Sequence, residues 1–232
     1  MRSSLNAFCR WIGVMAILLP AVLLLPVERL QPKACAQPFI MPTGGSDTTA
    51  CLPDCFNSPF SAPKLYKINI PPNGWFLVKY RTRHACNVWW DVYIDWIIPL
   101  NASTDPFASY SMQYILEKVT KFLLIENPMQ FPPFPTNPPL PPPPCVTNWR
   151  VIKGPCWSRV NTGNPTCPIQ YISCNEALCC LEPYRVCVDP STRLRTVQKM
   201  SYGWAPYGCP YTPPGNGAPC EPACGYPPQY NE

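Results

Sequence analysis

The chain has 232 residues, with 35 prolines, 15 cysteines and a formal net charge of +5. Four of its 18 basic residues and one of its 13 acidic residues lie in the first 36 positions, and without them the net charge falls to +2. The charge therefore gives no support for binding to nucleic acid or to an anionic membrane surface.

The first 36 residues have the pattern of a cleaved signal peptide. Arg2 and Arg10 precede an apolar run at 11–25, and a polar stretch then ends in Ala-Cys-Ala at 34–36. The apolar run is shorter than the roughly 20 residues of a membrane-spanning helix, and a proline interrupts it, so cleavage after Ala36 is favoured over an anchor. This interpretation predicts a secreted, extracellular or cell-surface protein that has no membrane contact after cleavage.

The number and spacing of the cysteines predict a disulfide-rich protein. Thirteen cysteines follow position 36, and an exported chain of this kind is expected to form disulfides in an oxidising compartment. No two cysteines have the Cys-x-x-Cys spacing of zinc, iron-sulfur or haem sites, so we expect neither a metal nor a cofactor. The disulfide candidates are Cys51, Cys55, Cys145, Cys156, Cys167, Cys174, Cys179, Cys180, Cys187, Cys209, Cys220 and Cys224.

The N-terminal half holds an odd number of cysteines after the signal. The spacing of Cys51 and Cys55 suits a small disulfide loop, which would leave Cys86 over. A free thiol, a bond to the C-terminal half and an intermolecular bond all remain open for Cys86.

Two pairs of nearby cysteines in the C-terminal half lead to different predictions about their disulfides. Cys220 and Cys224 have the spacing of a small disulfide loop. Cys179 and Cys180 are adjacent, and neighbouring residues of a strand point to opposite faces, so we expect them to bridge to different partners.

The clearest fold signal follows a leader. Residues 37–63 are rich in Pro, Gly, Ser and Thr and predict a loop-like segment. Lys64 to Ile70 has the pattern of a short strand, and Pro-Pro-Asn-Gly at 71–74 predicts a turn whose glycine takes a positive φ. Two alternating runs at 75–83 and 88–98 then predict a β-hairpin.

The predicted hairpin has one apolar face and one mixed face. If it is centred on Cys86, residue 81 lies opposite residue 91, and the alternation of the two strands agrees. The apolar face contains Phe76, Val78, Tyr80, Trp90, Val92, Ile94, Trp96 and Ile98. The mixed face contains Trp75, Trp89, Tyr93, Lys79, Arg81, Arg83, Asp91 and Asp95.

The mixed face is the candidate ligand-binding face of the chain. Its aromatic rings would stack on a sugar or polymer, and its charged groups would orient hydroxyls. The alternative is a structural face, in which the acids pair with the arginines across strands and the rings pack under another element. Both interpretations place the same residues together.

A single amphipathic helix is predicted after the hairpin. Asp105 and Pro106 predict its start, with Asp105 as the N-cap, and Asn127-Pro128 predicts its end. Its apolar positions recur at helical spacing. They are Met112, Ile115, Leu116, Val119, Phe122 and Leu123. The helix is expected to cover one face of the hairpin, which gives a β-hairpin plus helix module at 64–127.

A proline-rich segment divides the chain. Ten of the seventeen residues at 128–144 are proline, which predicts an extended polyproline linker. The following region, 145–232, holds ten cysteines and ends in a tail rich in Tyr, Pro and Gly. Few aliphatic residues occur there, so disulfides are expected to replace a core. Its strand candidates are 146–153, 169–173, 184–189 and 193–202. The predicted fold class is mainly β with one helix, in two modules.

Nothing in the sequence predicts an enzyme. His84 is the only histidine, and two residues of separation from Cys86 give poor geometry for a catalytic dyad. Asp91 and Asp95 lie four residues apart on one strand, roughly 13 Å, which exceeds the spacing of a glycosidase pair. The sequence contains no nucleophile-elbow, phosphate-loop or dinucleotide-binding motif.

Three hypotheses follow for function. The first is a structural or interaction protein of a cell surface, matrix, filament or adhesive assembly, whose partners are a protein, a polysaccharide or further copies of itself. The second is a carbohydrate- or ligand-binding module that uses the mixed face. The third is a cysteine-rich secreted inhibitor or effector.

Overall fold

A computed structural model describes residues 58–100, 104–134, 145–165, 167–174, 180–201, 209 and 217–224. Within these ranges the chain is mainly β-structure with one α-helix, as the sequence predicts. The strands are β1 (Lys64–Ile70), β2 (Gly74–Ala85), β3 (Trp89–Pro99), β4 (Cys145–Lys153), β5 (Cys156–Asn161), β6 (Ile169–Ser173), β7 (Cys180–Val188), β8 (Arg195–Lys199) and β9 (Glu221–Pro222). The helix, α1, spans Met112–Glu126. The described ranges contain no helix that is long and apolar enough to cross a membrane.

The nine strands form one sheet that divides at β3. Along one edge, β3 pairs with antiparallel β2, which in turn pairs with β1. Along the other edge, the first half of β3 pairs with parallel β4 and the second half pairs with antiparallel β6. One branch continues from β4 through β7 to β8, and the other continues from β6 through β5 to β9. The sheet is curled, so that β1, β8 and β9, which lie at its three ends, all contact α1.

The sheet unites the two halves of the chain that the sequence predicted as separate modules. β3 belongs to the predicted hairpin module, whereas β4 and β6 belong to the predicted cysteine-rich module. The described residues belong to one compact unit, residues 37–232. The structure therefore does not show a two-module layout, because the open edge of the hairpin is completed by strands of the C-terminal half.

The first three strands are close to their predicted positions. β1 has the predicted bounds, and Gly74 has the expected positive φ, 99°. The β2–β3 turn is centred one residue later than predicted, so that Asp91 lies opposite Arg83 rather than residue 81. Cys86 and Asn87 take positive φ values of 53° and 55°, which matches the twist that a tight hairpin needs.

A β-bulge changes which side chains of β3 face the core. The register shifts between Lys79 and Tyr80, so the alternation of β3 relative to β2 reverses beyond this point. Ile97 therefore joins the core cluster, and Trp96 and Ile98 lie on the opposite face. The prediction that Trp96 and Ile98 share the apolar face was wrong, because regular alternation does not allow for an extra residue.

Helix α1 begins later than its sequence predicted. Ser111 is the N-cap, and its side chain accepts a hydrogen bond from the backbone nitrogen of Tyr114. Asp105 instead caps a preceding turn by accepting from the nitrogen of Phe107, so its assignment as helix N-cap was wrong. The predicted end is confirmed, with Asn127 in the left-handed conformation. The buried side chains of the helix are Met112, Ile115, Leu116, Val119, Thr120, Leu123 and Leu124.

The first part of the predicted linker packs in the core. Met129 and Phe131 are buried there, and the side chain of Asn127 both donates to and accepts from the backbone of Phe131. The ring of Phe131 contacts Trp90 and Trp149. This contact corrects the expectation of an extended spacer from residue 128, and residues 135–144 lie outside the described ranges.

Disulfides cross-link the described residues of the C-terminal half. The bonded pairs are Cys145–Cys187, Cys156–Cys209, Cys174–Cys220 and Cys180–Cys224. Cys220 and Cys224 therefore do not form the small loop that their spacing suggested. They flank β9 and bond it to two other parts of the sheet, which explains how a strand of two residues is held in place.

Candidate functional site

The centre of the mixed face is a row of three charged side chains on adjacent strands. Arg83 on β2 lies opposite Asp91 on β3, and Asp91 lies opposite Arg150 on β4. The Nε of Arg83 donates to Oδ2 of Asp91 at 2.7 Å. Arg150 donates from Nε to Oδ1 at 2.6 Å and from Nη2 to Oδ2 at 2.8 Å. Both oxygens of the carboxylate are thus occupied by guanidinium groups.

This row is buried. Asp91 has no exposed surface, and Arg83 and Arg150 are each 5% exposed. Two positive charges share one negative charge, so the row has an excess charge of +1 at a position with almost no exposed surface. Such an excess is costly unless further acceptors are present.

Aromatic rings cover the arginines. The guanidinium carbon of Arg83 lies 4.5 Å from the ring centroid of Phe60, and that of Arg150 lies 4.6 Å from the ring of Trp89. Arg81 lies 4.8 Å from the ring of Tyr93, which contacts Phe60 edge-on. These contacts fix the planes of the guanidinium groups.

A second ion pair lies beside the row. Arg81 donates from Nε and Nη2 to Oδ1 of Asp95, at 3.1 and 2.8 Å. Burial raises the pKa of Asp95 above its ordinary value, and the charges of Arg81 and Lys79 oppose this effect only in part. Asp91 is therefore paired with Arg83 and Arg150, and Asp95 is paired with Arg81. The structural interpretation of the mixed face expects such pairs of acids with arginines.

The structure brings most of the predicted ligand-binding residues together. Arg81, Arg83, Asp91, Tyr93 and Asp95 form one contiguous set, and Trp89 joins it through Arg150, as described above. Trp75 does not join this set, because it lies at the opposite end of β2 from Arg83, roughly 26 Å along the strand. Tyr93 is buried and Trp89 is half-buried, so these two rings do not form an open platform for a polymer.

Sequence reasoning missed two members of this set. Arg150 is separated from Asp91 by 59 residues, and only the parallel pairing of β3 with β4 brings it into the row. Phe60 lies in the predicted leader, and the backbone hydrogen bond from Ser61 to Thr82 holds this segment against β2. No local pattern in the sequence indicates either contact.

A separate ion network joins strands β4, β7 and β8 to the helix. Glu182 on β7 forms ion pairs with Lys153 at 3.0 Å and with Lys199 at 2.7 Å. Lys199 also donates a hydrogen bond to Glu117 of α1 at 3.0 Å. Burial lowers the pKa of Lys153. Burial alone would raise the pKa of Glu182, but the two ammonium groups hold it below its ordinary value.

One group of potential metal ligands lies next to this network. Ligand atoms of Cys180, Glu182 and Cys224 lie within 4.8 Å of one another and are buried. The two sulfur atoms are joined in a disulfide, so neither is available as the thiolate that a metal requires. Cys180 also has a partner other than its neighbour Cys179, as expected, and Cys179 lies outside the described residues.

Two other cysteines, Cys86 and Cys167, are also disulfide-bonded, as predicted for Cys167. Cys86 is disulfide-bonded, which excludes the free thiol considered for it, and its partner lies outside the described residues. The same holds for the partner of Cys167, and Cys51 and Cys55 themselves lie outside the described ranges. With its sulfur in a disulfide, Cys86 offers no thiol to His84, whose ring stacks on Trp90 at 4.0 Å.

Comparison of the chain with protein-family models, with curated proteins and with solved structures gave no match.

Proposed function

We propose that the protein is an exported, non-catalytic structural or interaction protein of a cell surface or extracellular matrix. The observation that carries this proposal is the state of the cysteines. All ten cysteines within the described ranges are disulfide-bonded, and disulfides at this density are typical of oxidising compartments outside the cytosol. The absence of a membrane-spanning helix from those ranges is compatible with an extracellular protein.

The ion pairs support a scaffold role over a catalytic one. Each carboxylate of the mixed face is held by an arginine, and the only histidine is exposed and stacked on a tryptophan. These arrangements stabilise the sheet, and none places a nucleophile beside a base. The proposed partners are a protein or polysaccharide of the surface, or further copies of the chain.

Fractionation of cells that express the full chain tests this proposal. We expect the protein in the medium or in a salt-resistant surface extract, with linked peptides that contain Cys145–Cys187 and Cys174–Cys220 under non-reducing conditions. Self-association is measured on the same sample by light scattering. A cytosolic protein with reduced cysteines would refute the proposal.

A second candidate function is binding of a polysaccharide by an exposed part of the mixed face. Trp75 is 45% exposed, and Nζ of Lys67 lies 4.6 Å from its ring centroid. An exposed indole beside a cation suits stacking on a sugar ring and hydrogen bonding to its hydroxyls. Leu65, which is 50% exposed on the same face of the β1–β2 pair, provides a matched control.

The test compares Trp75→Ala with Leu65→Ala on a glycan array. We expect Trp75→Ala to abolish retention and Leu65→Ala to retain it. Equal retention by both variants and the wild type would count against the polysaccharide function. It would leave the proposed surface location untouched, since that depends on the cysteines.

A further inference from the structure

Arg83 has hydrogen-bonding capacity that the rest of the described structure does not use. Its Nε bonds to Asp91, but Nη1 and Nη2 are buried and have no hydrogen-bond partner among the described residues. A guanidinium group does not lose its proton in proteins, so these nitrogens remain donors at every accessible pH. Buried donors of a charged group are almost always satisfied.

The neighbouring acids do not satisfy these donors. Asp91 already accepts three hydrogen bonds from Arg83 and Arg150. Asp95 is paired with Arg81 through Oδ1. The row of Arg83, Asp91 and Arg150 thus combines an excess positive charge with two unsatisfied nitrogens at one position. One monoanion would neutralise the row.

Phe60 covers a face of the Arg83 guanidinium group and not the edge that carries Nη1 and Nη2. Phe60 lies over the guanidinium at 4.5 Å from its carbon, so the ring occupies the face of the group. The unsatisfied nitrogens lie in the plane of the group and donate outward from its edge. A planar carboxylate matches two adjacent guanidinium donors through two parallel hydrogen bonds.

We propose that Nη1 and Nη2 of Arg83 bind a carboxylate group, and that the row Arg83, Asp91 and Arg150 is an anion site. The ligand class is a small carboxylic acid or the carboxylate of an acidic sugar, and both carry the same recognised group. The site goes beyond the functions proposed above, because it requires neither a surface assembly nor stacking on Trp75.

The test is a titration of the full chain, with its disulfides formed, by sodium acetate and separately by sodium galacturonate. Each is compared with sodium chloride at the same ionic strength. Binding is followed through the arginine Nε–Hε resonances of ¹⁵N-labelled protein, and Arg83→Lys assigns the resonance of Arg83. We expect a saturable shift of that resonance with a carboxylate and none with chloride.

Two variants separate a specific site from a general effect of charge. Arg83→Lys keeps the charge but loses the planar pair of donors, so affinity should fall by at least about tenfold. Arg81→Lys makes the same change at the neighbouring arginine, and we expect affinity within about twofold of the wild type. Equal losses in both variants would overturn the proposal.

The two ligands distinguish the source of the carboxylate. Saturation by both means that the carboxylate alone is recognised, and saturation by galacturonate alone assigns the site to acidic sugars. No saturable shift beyond that of chloride would mean that water fills the site, and the proposal would be wrong. This last result is the absence of a saturable shift in every arginine Nε–Hε resonance of the wild-type chain, so it stands even if Arg83→Lys does not fold.

Discussion

Replacement of Glu182 by glutamine removes the acid at the centre of the buried network between β4, β7 and β8. Glu182 and Lys153 have no exposed surface, and their ion pair measures 3.0 Å. The variant leaves the ammonium of Lys153 buried without its carboxylate. Loss of one partner of a buried pair costs about 3–5 kcal/mol, which is a large fraction of the 5–15 kcal/mol typical of a domain.

Urea denaturation of the oxidised chain measures this loss. With a slope of roughly 2 kcal/mol per molar urea, the midpoint should fall by about 2 M. Glu117→Gln is the matched control, because the same substitution at the more exposed end of the network should cost about 1 kcal/mol or less. A loss below about 1 kcal/mol for Glu182→Gln would refute the argument that desolvation dominates here.

A double substitution separates the ion pair from general damage. Lys153→Met combined with Glu182→Leu replaces the pair by apolar side chains, and such replacements are often neutral or stabilising. We therefore expect the double variant to recover most of the stability that Glu182→Gln loses. Additive losses would show that the charges do not act as a pair.

The pH dependence of the destabilisation by Glu182→Gln follows from the pKa of Glu182. The pKa of Glu182 in the folded protein lies below its ordinary value of 4.5. Its ionised form therefore stabilises the fold fully above about pH 4.5, and this contribution is lost as the pH falls through the folded pKa. The difference in unfolding free energy between wild type and Glu182→Gln should shrink in acid.

Three further substitutions test particular parts of the structure. Ser111→Ala should lower the unfolding free energy by about 1 kcal/mol through loss of the helix N-cap, whereas Ser109→Ala, at an exposed turn position, should lower it little. Equal unfolding free energies of the two variants would place the helix start elsewhere. Phe131→Ala should cost about 3–5 kcal/mol because the ring is buried, and Phe134→Ala, at a half-exposed ring of the same proline-rich segment, should cost far less in thermal unfolding. The pKa of Asp95 is raised in the folded protein, so ionisation of this group weakens the fold as the pH rises through that pKa. Asp95→Asn should therefore lower the unfolding free energy less at pH 7 than at pH 3, and the reverse order would contradict this assignment.

Local patterns in the sequence predicted the local structure well. The alternation from Lys64 onward gave β1, the turn at Gly74 and the two long strands, because each depends on residues close in the chain. Asn127 marked the end of the helix correctly. The start was misplaced because Asp105 has the chemistry of a cap, whereas the helix begins after Ser111, where the packing of the chain places it.

The mixed face shows where prediction from sequence stops. The hairpin pattern predicted that the two acids pair with arginines across the strands, but it placed residue 81 opposite Asp91, where the structure has Arg83. Arg81 instead pairs with Asp95. The contact with Arg150 did not follow, because it needs a parallel pairing between strands separated by the helix and the proline-rich segment. Long-range pairing of this kind leaves no local signature.

The cysteine-rich half was expected to lack a core because it has few aliphatic residues. Trp149, Val151 and Val186 nevertheless pack in the same core cluster as Phe76 and Ile115, which belong to the other half. The C-terminal strands bury their apolar side chains against the helix and hairpin and use disulfides to fix the strands at the far edge of the sheet. The amino-acid composition of each half considered separately does not predict this arrangement, because the apolar side chains of both halves together form the core. The disulfides therefore supplement the core of this half, and they do not replace it.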